Sequence, residues 1–315
     1  MSIDDLIEGG TFFALCALPN EFDDSRSPLF FEFNSSSFQS ADGNTFIAAP
    51  FSTNICNEPQ RETSQQEHRN IIENALQSIA SGDLEKVVVS CIKHVPRKTQ
   101  TLQSIFERLK ERYTNAFVSV LHHPTYGTWM GATPELLLHK QGINYRTVSL
   151  AGTQPFSAAL QWSEKLQREQ QLVTDFIQQS ITLCNGVIEK ENGPYTFQAG
   201  PLAHLKTDIH FQSENPSEGI LNELQPTPAV CGLPREAARN FIETHSTFER
   251  RLYAGRMGIR FSSGDEIHFV NLRCMQVFND HFELHVGGGI VAGSNAADEW
   301  HETEIKADVL RSLLQ

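Results

Sequence analysis

The sequence predicts an α+β protein built on large antiparallel sheets. Strand-like and helix-like segments come in clusters and do not alternate strictly, which argues against a doubly wound parallel sheet. Near the C-terminus three strand patterns, GRMGIRFSS, EIHFVNLRCMQVF and HFELHVGG, follow one another with turns between them, as in a meander. A chain of 315 residues can bury one large core, although its length also admits two domains.

Residues 1–60 are rich in Phe, Ser and Asn and hold short strand-like pieces, TFFALCAL and PLFFEF. The polar stretch Asn57–Glu67 reads as a connector. From about Thr63 to Ala80, Ile71, Ile72, Ala75, Leu76 and Ile79 recur at helical spacing. Ser81-Gly82-Asp83 ends that helix and opens a strand, LEKVVVSCIKHV. TLQSIFERLKERY predicts another helix, AFVSVLHHP and GTWMGATPELLLHK two strands joined by a turn, and NYRTVSLAG a strand ending in a glycine turn. The longest helical pattern runs from about Ala158 to Glu189, with Leu160, Leu166, Leu172, Val173, Phe176, Ile177, Ile181 and Leu183 on its apolar face. YTFQAG and LAHLKTDIHF read as strands, and PREAARNFIETH as a helix with Pro234 near its start. There is no internal repeat.

The formal net charge of -13 argues against general nucleic-acid or anionic-membrane binding, so an anionic substrate would need local positive charge at its site. Cys16, Cys56, Cys91, Cys184, Cys231 and Cys274 are scattered without a CxxC pair. That suits buried, reduced thiols in a cytoplasmic protein, not a disulfide framework or a zinc site. The start, MSIDDLIEGG, lacks the basic region of a signal peptide, and the apolar run Phe12–Leu18 is too short to span a membrane.

The richest stretch is ELHVGGGIVAGSNAADEWHETEIKADVLRSLL, residues 283–314. A β-rich run ends in Gly287-Gly288-Gly289, the turn Gly293-Ser294-Asn295 follows, and a helix then carries Glu299, Glu302 and Lys306 on one face. Successive glycines let a backbone approach a ligand and offer bare N–H groups to an anion. Two carboxylates one turn apart suit the start of a Mg²⁺ site, though spacing alone equally allows a solvated helix face. Gly287-x-Gly289-x-x-Ala292 also fits a loose dinucleotide fingerprint, but no second strand with an acidic residue follows.

Eight motifs occur in one order: EKVVVS (85–90), GATPELLL (131–138), SLAGT (149–153), SEKLQREQQLV (163–173), QPTPAVCGLPREAA (225–238), FERRLYAG (248–255), NLRC (271–274) and the C-terminal block. Together they resemble the chorismate-utilising enzymes: isochorismate synthase, salicylate synthase, and the large subunits of anthranilate and aminodeoxychorismate synthase. The match covers about Thr63 to Gln315, with residues 1–60 in the family's variable N-terminal portion. The resemblance implies one α+β domain over 1–315, of two large, mostly antiparallel sheets packed as a sandwich with helices outside, like anthranilate synthase component I. It also implies Mg²⁺, chorismate, and a site at the sheet interface.

Residue by residue, the resemblance implies Lys86 as the base and Glu135 as the general acid, its pKa raised by a partly apolar wall. Lys86 must lose its proton, so burial or nearby cations should lower its pKa. Glu302 would be the principal Mg²⁺ ligand, with Glu299 and Glu169 as partners. Arg273 would grip the pyruvyl carboxylate beside Tyr253, and His204 would stand near the ring. Gly152, Thr153, Gly287 and Gly288 would meet substrate oxygens, and Lys306 would pair with Glu302 or reach the ring carboxylate. Taken singly, each has a plainer reading as a surface lysine, a turn carboxylate, a core tyrosine, a structural histidine or an ordinary glycine turn.

Lys86, where ammonia-using members carry Gln, points to water as nucleophile, and Ala229 favours isochorismate synthase over salicylate synthase. The expected protein is a monomer or homodimer serving menaquinone or siderophore synthesis. Salicylate synthase, the ammonia-using large subunits and a non-catalytic chorismate-binding member remain the alternatives. Leu166, Gln170 and Gln225 depart from the family pattern, which has an acid and two histidines there.

Overall fold

The computed structural model describes residues 2–23, 25, 27–52, 57–157 and 159–315. Cys56 and the expected helix start at Ala158 lie outside them. The elements run α1 (Ile3–Glu8), β1 (Phe13–Ala17), β2 (Leu29–Phe33), β3 (Phe38–Gln39), β4 (Thr45–Ala49), α2 (Gln65–Ala80), β5 (Lys86–Pro96), α3 (Leu102–Arg112), β6 (Phe117–His123), β7 (Gly127–Thr133) and β8 (Leu136–Gln141). They continue with β9 (Asn144–Pro155), α4 (Glu164–Leu183), β10 (Val187–Ala199), β11 (Leu202–Gln212), α5 (Ser217–Leu224), β12 (Gly232–Leu233), α6 (Arg235–His245), β13 (Arg256–Arg260), β14 (Glu266–Val270), β15 (Cys274–Val277), β16 (His281–Val291) and α7 (Ala296–Arg311).

The architecture is α+β on a large antiparallel sheet, as the sequence predicts. Hydrogen bonding runs without a break in the order β10-β11-β9-β8-β14-β13-β4-β3-β2-β1-β6-β7-β15-β16-β5-β12. The two expected sheets are the two ends of this run, folded face to face. Phe117 of β6 stacks on Phe269 of β14, with centroids 4.6 Å apart, although five strands separate them in the run. The N-terminal strands β1–β4 join the two ends: β1 pairs with β6 and β4 with β13. Helices α4 and α5 cover one half, while α2, α3, α6 and α7 cover the other.

Local chemistry accounts for several boundaries that differ from the expected ones. Helix α2 begins at Gln65, where Ser64 and Glu67 form a reciprocal capping box. Helix α4 is shorter than its apolar pattern. Ser163 caps its start, Asn185 at φ 51° turns the chain out of it, and Val187 already belongs to β10. The expected strand GTWMGATPELLLHK divides into β7 and β8 because Pro134 has no N–H to pair. Strand β9 does not stop at Gly152. That glycine takes φ 68° and sits at a bulge, and the ladder with β11 resumes at Thr153. Nor does β16 end at the glycine run, since Gly287, Gly288 and Gly289 pair with Ser90, Val89 and Val88 inside the strand.

The described cysteines, Cys16, Cys91, Cys184, Cys231 and Cys274, are free and buried. Among the described residues no helix is long and apolar enough to cross a membrane.

Phe117 is fully buried between the two halves. Phe117→Ala is therefore expected to cost about 3–5 kcal/mol. In urea this reads as a lower midpoint with an unchanged slope.

Candidate active site

A cleft opens where the two ends of the strand run face each other. Its lining takes in Glu135, Gly152, Thr153, Glu169, His204, Ala229, Tyr253, Arg273, Gly287, Glu302 and Lys306. Most of the residues singled out in the sequence are thus gathered in one place. Lys86, Gly288 and Glu299 stand just behind the wall. Lys86 Nζ is fully buried, 3.0 Å from Glu169 Oε1, and Glu299 Oε1 lies 2.7 Å from Lys165 Nζ.

Strand β16 runs through this wall as bare backbone, and its glycines serve close approach, strictly at Gly289, and not turns. A Cβ on Gly289 would overlap Glu169 Oε1 and stand 2.9 Å from Lys86 Cε. One on Gly288 would lie 3.3 Å from Glu299 Oε2 and 3.5 Å from Glu302 Oε1. One on Gly287 would lie 2.8 Å from the Tyr253 hydroxyl. The ladder between β15 and β16 ends at Cys274 and His285, so β15 leaves the edge of β16 from Gly287 onward uncovered.

Three carboxylates and three lysines meet around that strand. Besides the pairs of Glu169 and Glu299, Lys306 Nζ lies 2.6 Å from Glu302 Oε1 and donates to the Gly287 carbonyl at 2.8 Å. The pair along its own helix, one of the two roles expected for Lys306, is present. Burial opposes its charge, yet Glu302, with Glu169 and Glu299 behind it, holds its pKa above the ordinary lysine value. Burial raises the pKa of Glu299, and the Glu302 charge adds to this against the opposing Lys165. Glu299 Oε2 is buried and has no hydrogen-bond partner. An unpartnered carboxylate oxygen beside a second carboxylate, over glycine backbone, fits a hard divalent cation. Lys86 was expected to lie near cations or in an apolar pocket. It is fully buried, but its neighbour is the Glu169 carboxylate.

Arg273 is held in the backbone conformation φ 48° between β14 and β15. Its guanidinium reaches His204 Nε2 and the Ala199 carbonyl, and burial lowers its pKa to about 10. His204 Nδ1 lies 3.0 Å from the Gly152 carbonyl. A carbonyl only accepts, so Nδ1 carries the proton and Nε2 accepts from Arg273. Burial, reinforced by Arg273 and Lys306, pushes the His204 pKa well down, which keeps the ring neutral. The histidine therefore aims the arginine.

Glu135 lies in the Pro134–Glu135 step between β7 and β8, where its carbonyl accepts from Val270 N–H at 3.0 Å and its own N–H donates to Thr133 Oγ1 at 3.3 Å. Burial pushes its carboxyl up to about 7, against the opposing pull of Lys86, Arg273 and Lys306. This is a carboxylic acid that can give a proton near neutrality.

Sequence reading missed His285 and Lys165, and named Gly289 only as part of the glycine run. His285 lines the cleft, packs against Trp129, Phe248 and Tyr253, and is pushed down to about 3 by burial. Its signal was its place two residues before Gly287 on one strand, hence on the same face. The departures at Leu166 and Gln170 have structural accounts. Leu166 packs beside Gly152, and Gln170 Nε2 donates to Ser149, Thr174 and Thr207 at 2.8–3.0 Å.

Comparison with known proteins was made against this geometry. The model of the family described as chorismate binding enzyme matches residues 33–315. Isochorismate synthase MenF of Escherichia coli is 32% identical over 262 residues, covering 78% of this chain and 59% of its own length. Isochorismate synthase DhbC of Bacillus subtilis is 31% identical over 261 residues, covering 76% of this chain and 66% of its own. The chain thus spans roughly three-fifths to two-thirds of the length of these curated relatives. Among solved structures, Escherichia coli MenF superposes with TM-score 0.72 at 28% identity, over 84% of this chain and 65% of that one. Anthranilate synthase component I of Streptococcus pneumoniae shares the fold, with TM-score 0.70 at 21% identity over 82% of this chain and 61% of that one.

The raised Glu135 pKa sets a pH dependence of stability. The folded chain keeps this proton up to about 7, while a free glutamate releases it near 4.5. The stabilisation is complete below the lower value and is lost as pH rises through the upper one, a change of about 3 kcal/mol. Glu135→Gln should flatten this slope in denaturant titrations run across that window. An unchanged slope would refute the assignment.

Proposed function

The chain belongs to the chorismate binding enzyme family, and on that footing we propose that it is a Mg²⁺-dependent isochorismate synthase. The observation that carries the reading is Glu135, a buried acid with its pKa near 7, in one cleft with an arginine and a lysine and close enough to feel the Lys86 charge. Sequence kinship with MenF and DhbC supports the same reaction.

Chorismate carries two carboxylates. Arg273, held by His204, is set to receive one of them through its planar guanidinium. Lys306 and the uncovered edge of β16 bring further positive charge and N–H groups to an otherwise acidic protein. Glu299 and Glu302, with Glu169, would hold Mg²⁺, which when bound would neutralise a substrate carboxylate and fix its position.

In the reaction, Lys86 first releases its proton to solvent and, as the amine, takes one from water while the water oxygen bonds to C2. The ring double bond shifts and the C4–O bond breaks. Glu135 gives its proton to the departing hydroxyl, which leaves as water. One water enters and one leaves, so the product is an isomer of the substrate. The ammonium formed on Lys86 is balanced by Glu169, 3.0 Å away. The carboxylate formed on Glu135 is offset by Arg273 and Lys306.

Incubation with chorismate and Mg²⁺, followed by separation of products, tests the reading. Isochorismate is expected, and Glu135→Gln should lower kcat by about 10²–10⁴-fold with a smaller change in KM. Salicylate with pyruvate would assign the chain to salicylate synthesis. Anthranilate or aminodeoxychorismate formed only with ammonia would defeat the proposal, and so would calorimetric binding of chorismate without turnover.

A further inference from the structure

Away from the cleft, at the opposite end of β16, a second group of metal-binding side chains converges. His94 of β5 lies directly opposite Glu283 of β16, and His281 is two residues from Glu283 on the same strand. Opposed residues of an antiparallel pair, and residues two apart, share a face, so all three side chains project to one side of the sheet. Their ligand atoms lie within 4.8 Å of one another. His94 Nε2 is 3.8 Å and His281 Nε2 3.5 Å from Glu283 Oε1, which also accepts from the Gln60 N–H, and the Gln60 carbonyl is 2.8 Å from His94 Nε2.

Two atoms here lack partners. Glu283 is fully buried and its Oε2 makes no hydrogen bond, and neither does the buried His281 Nε2. His281 Nδ1 lies 2.7 Å from Asp280 Oδ1. An ionised carboxylate only accepts, so Nδ1 carries a proton, and Nε2, with no second proton, would present a lone pair to Glu283. A buried carboxylate with one oxygen unpartnered, ringed by two imidazoles, offers ligand atoms to a cation. The hydrogen bond from His281 to Asp280 is the outer support usual for a metal-bound histidine. Arg251 faces the same carboxylate but directs its guanidinium to Gln276 Oε1 and the Glu58 carbonyl.

We propose that His94, His281 and Glu283, with the Gln60 carbonyl, form a structural Zn²⁺ site that pins the segment before α2 to the end of the β5–β16 ladder. Bonds of about 2.0–2.2 Å in a tetrahedron set ligand atoms roughly 3.3 Å apart. The distances here, 2.8 to 3.8 Å, bracket that value. Two imidazoles and a carboxylate suit zinc better than magnesium. Binding needs no cysteine, and it displaces the His94 Nε2 proton, so that Nε2 and the Gln60 carbonyl both turn to the ion. Glu283 is four residues from Gly287, about 13 Å along the strand, so the site is separate from the carboxylates of the cleft.

The test is Zn²⁺ titration of the metal-stripped chain against a chromophoric chelator, with Co²⁺ absorption reporting geometry. One tight site is expected, with a tetrahedral Co²⁺ spectrum and a raised Tm in Zn²⁺. His281→Gln or His94→Gln should weaken binding by on the order of 100-fold, and Asp280→Asn by about 10-fold. Glu299→Gln should leave the affinity unchanged. No stoichiometric uptake by the unaltered chain would overturn the proposal, leaving an imidazolium–carboxylate cluster. Uptake lost in Glu299→Gln but kept in the histidine variants would overturn it too. Neither result bears on the chorismate assay, which needs no zinc.

Discussion

Close approach of three carboxylates to one strand is the constraint on which the rest of the structure depends. Glu169 arrives from α4 and Glu299 and Glu302 from α7; Glu169 comes so near β16 that only glycine fits beneath it, and the other two lie in contact range of Gly288. Unpaired, such charges would be costly to hold there, Glu299 above all, as the one that is buried. Each is met by a lysine from a different element: Lys86 from β5, Lys165 from α4 and Lys306 from α7. Both halves of the strand run are thereby drawn toward one line of backbone, and the cleft is the space left over.

The positive groups are arranged with the same economy. Arg273 is aimed by a histidine that burial keeps neutral, so the guanidinium has a hydrogen-bond acceptor beside it and no competing charge. Glu135 is left without a direct ion-pair partner among the described residues, and burial then decides its protonation. Glu169 differs in having a lysine, Lys86, at 3.0 Å.

Much of this was legible in the sequence, and the exceptions are physical. Helix α3 and strands such as β5 follow from apolar period alone, and the eight ordered motifs place the cleft residues. Gly287–Gly289 looked like a strand end because glycine is a poor strand former, and nothing local reveals that side chains from remote helices require it there. The end of α4 was overrun because Val187 continues the apolar pattern, while the stop comes from the backbone at Asn185. His285 is invisible to motif reading since its partners Trp129, Phe248 and Tyr253 come from three distant segments. The His94–His281–Glu283 group is equally hidden, because only the β5–β16 register brings it together.

The strands drawn from the first sixty residues occupy the middle of the run, between β13 and β6. They act as the spine of a folded book whose facing pages are the two walls of the cleft. Changes in the length or pleat of this least patterned stretch would alter how far the pages stand apart without touching a site residue. Sequence drift in that stretch then becomes a means of adjusting the gape of the cleft.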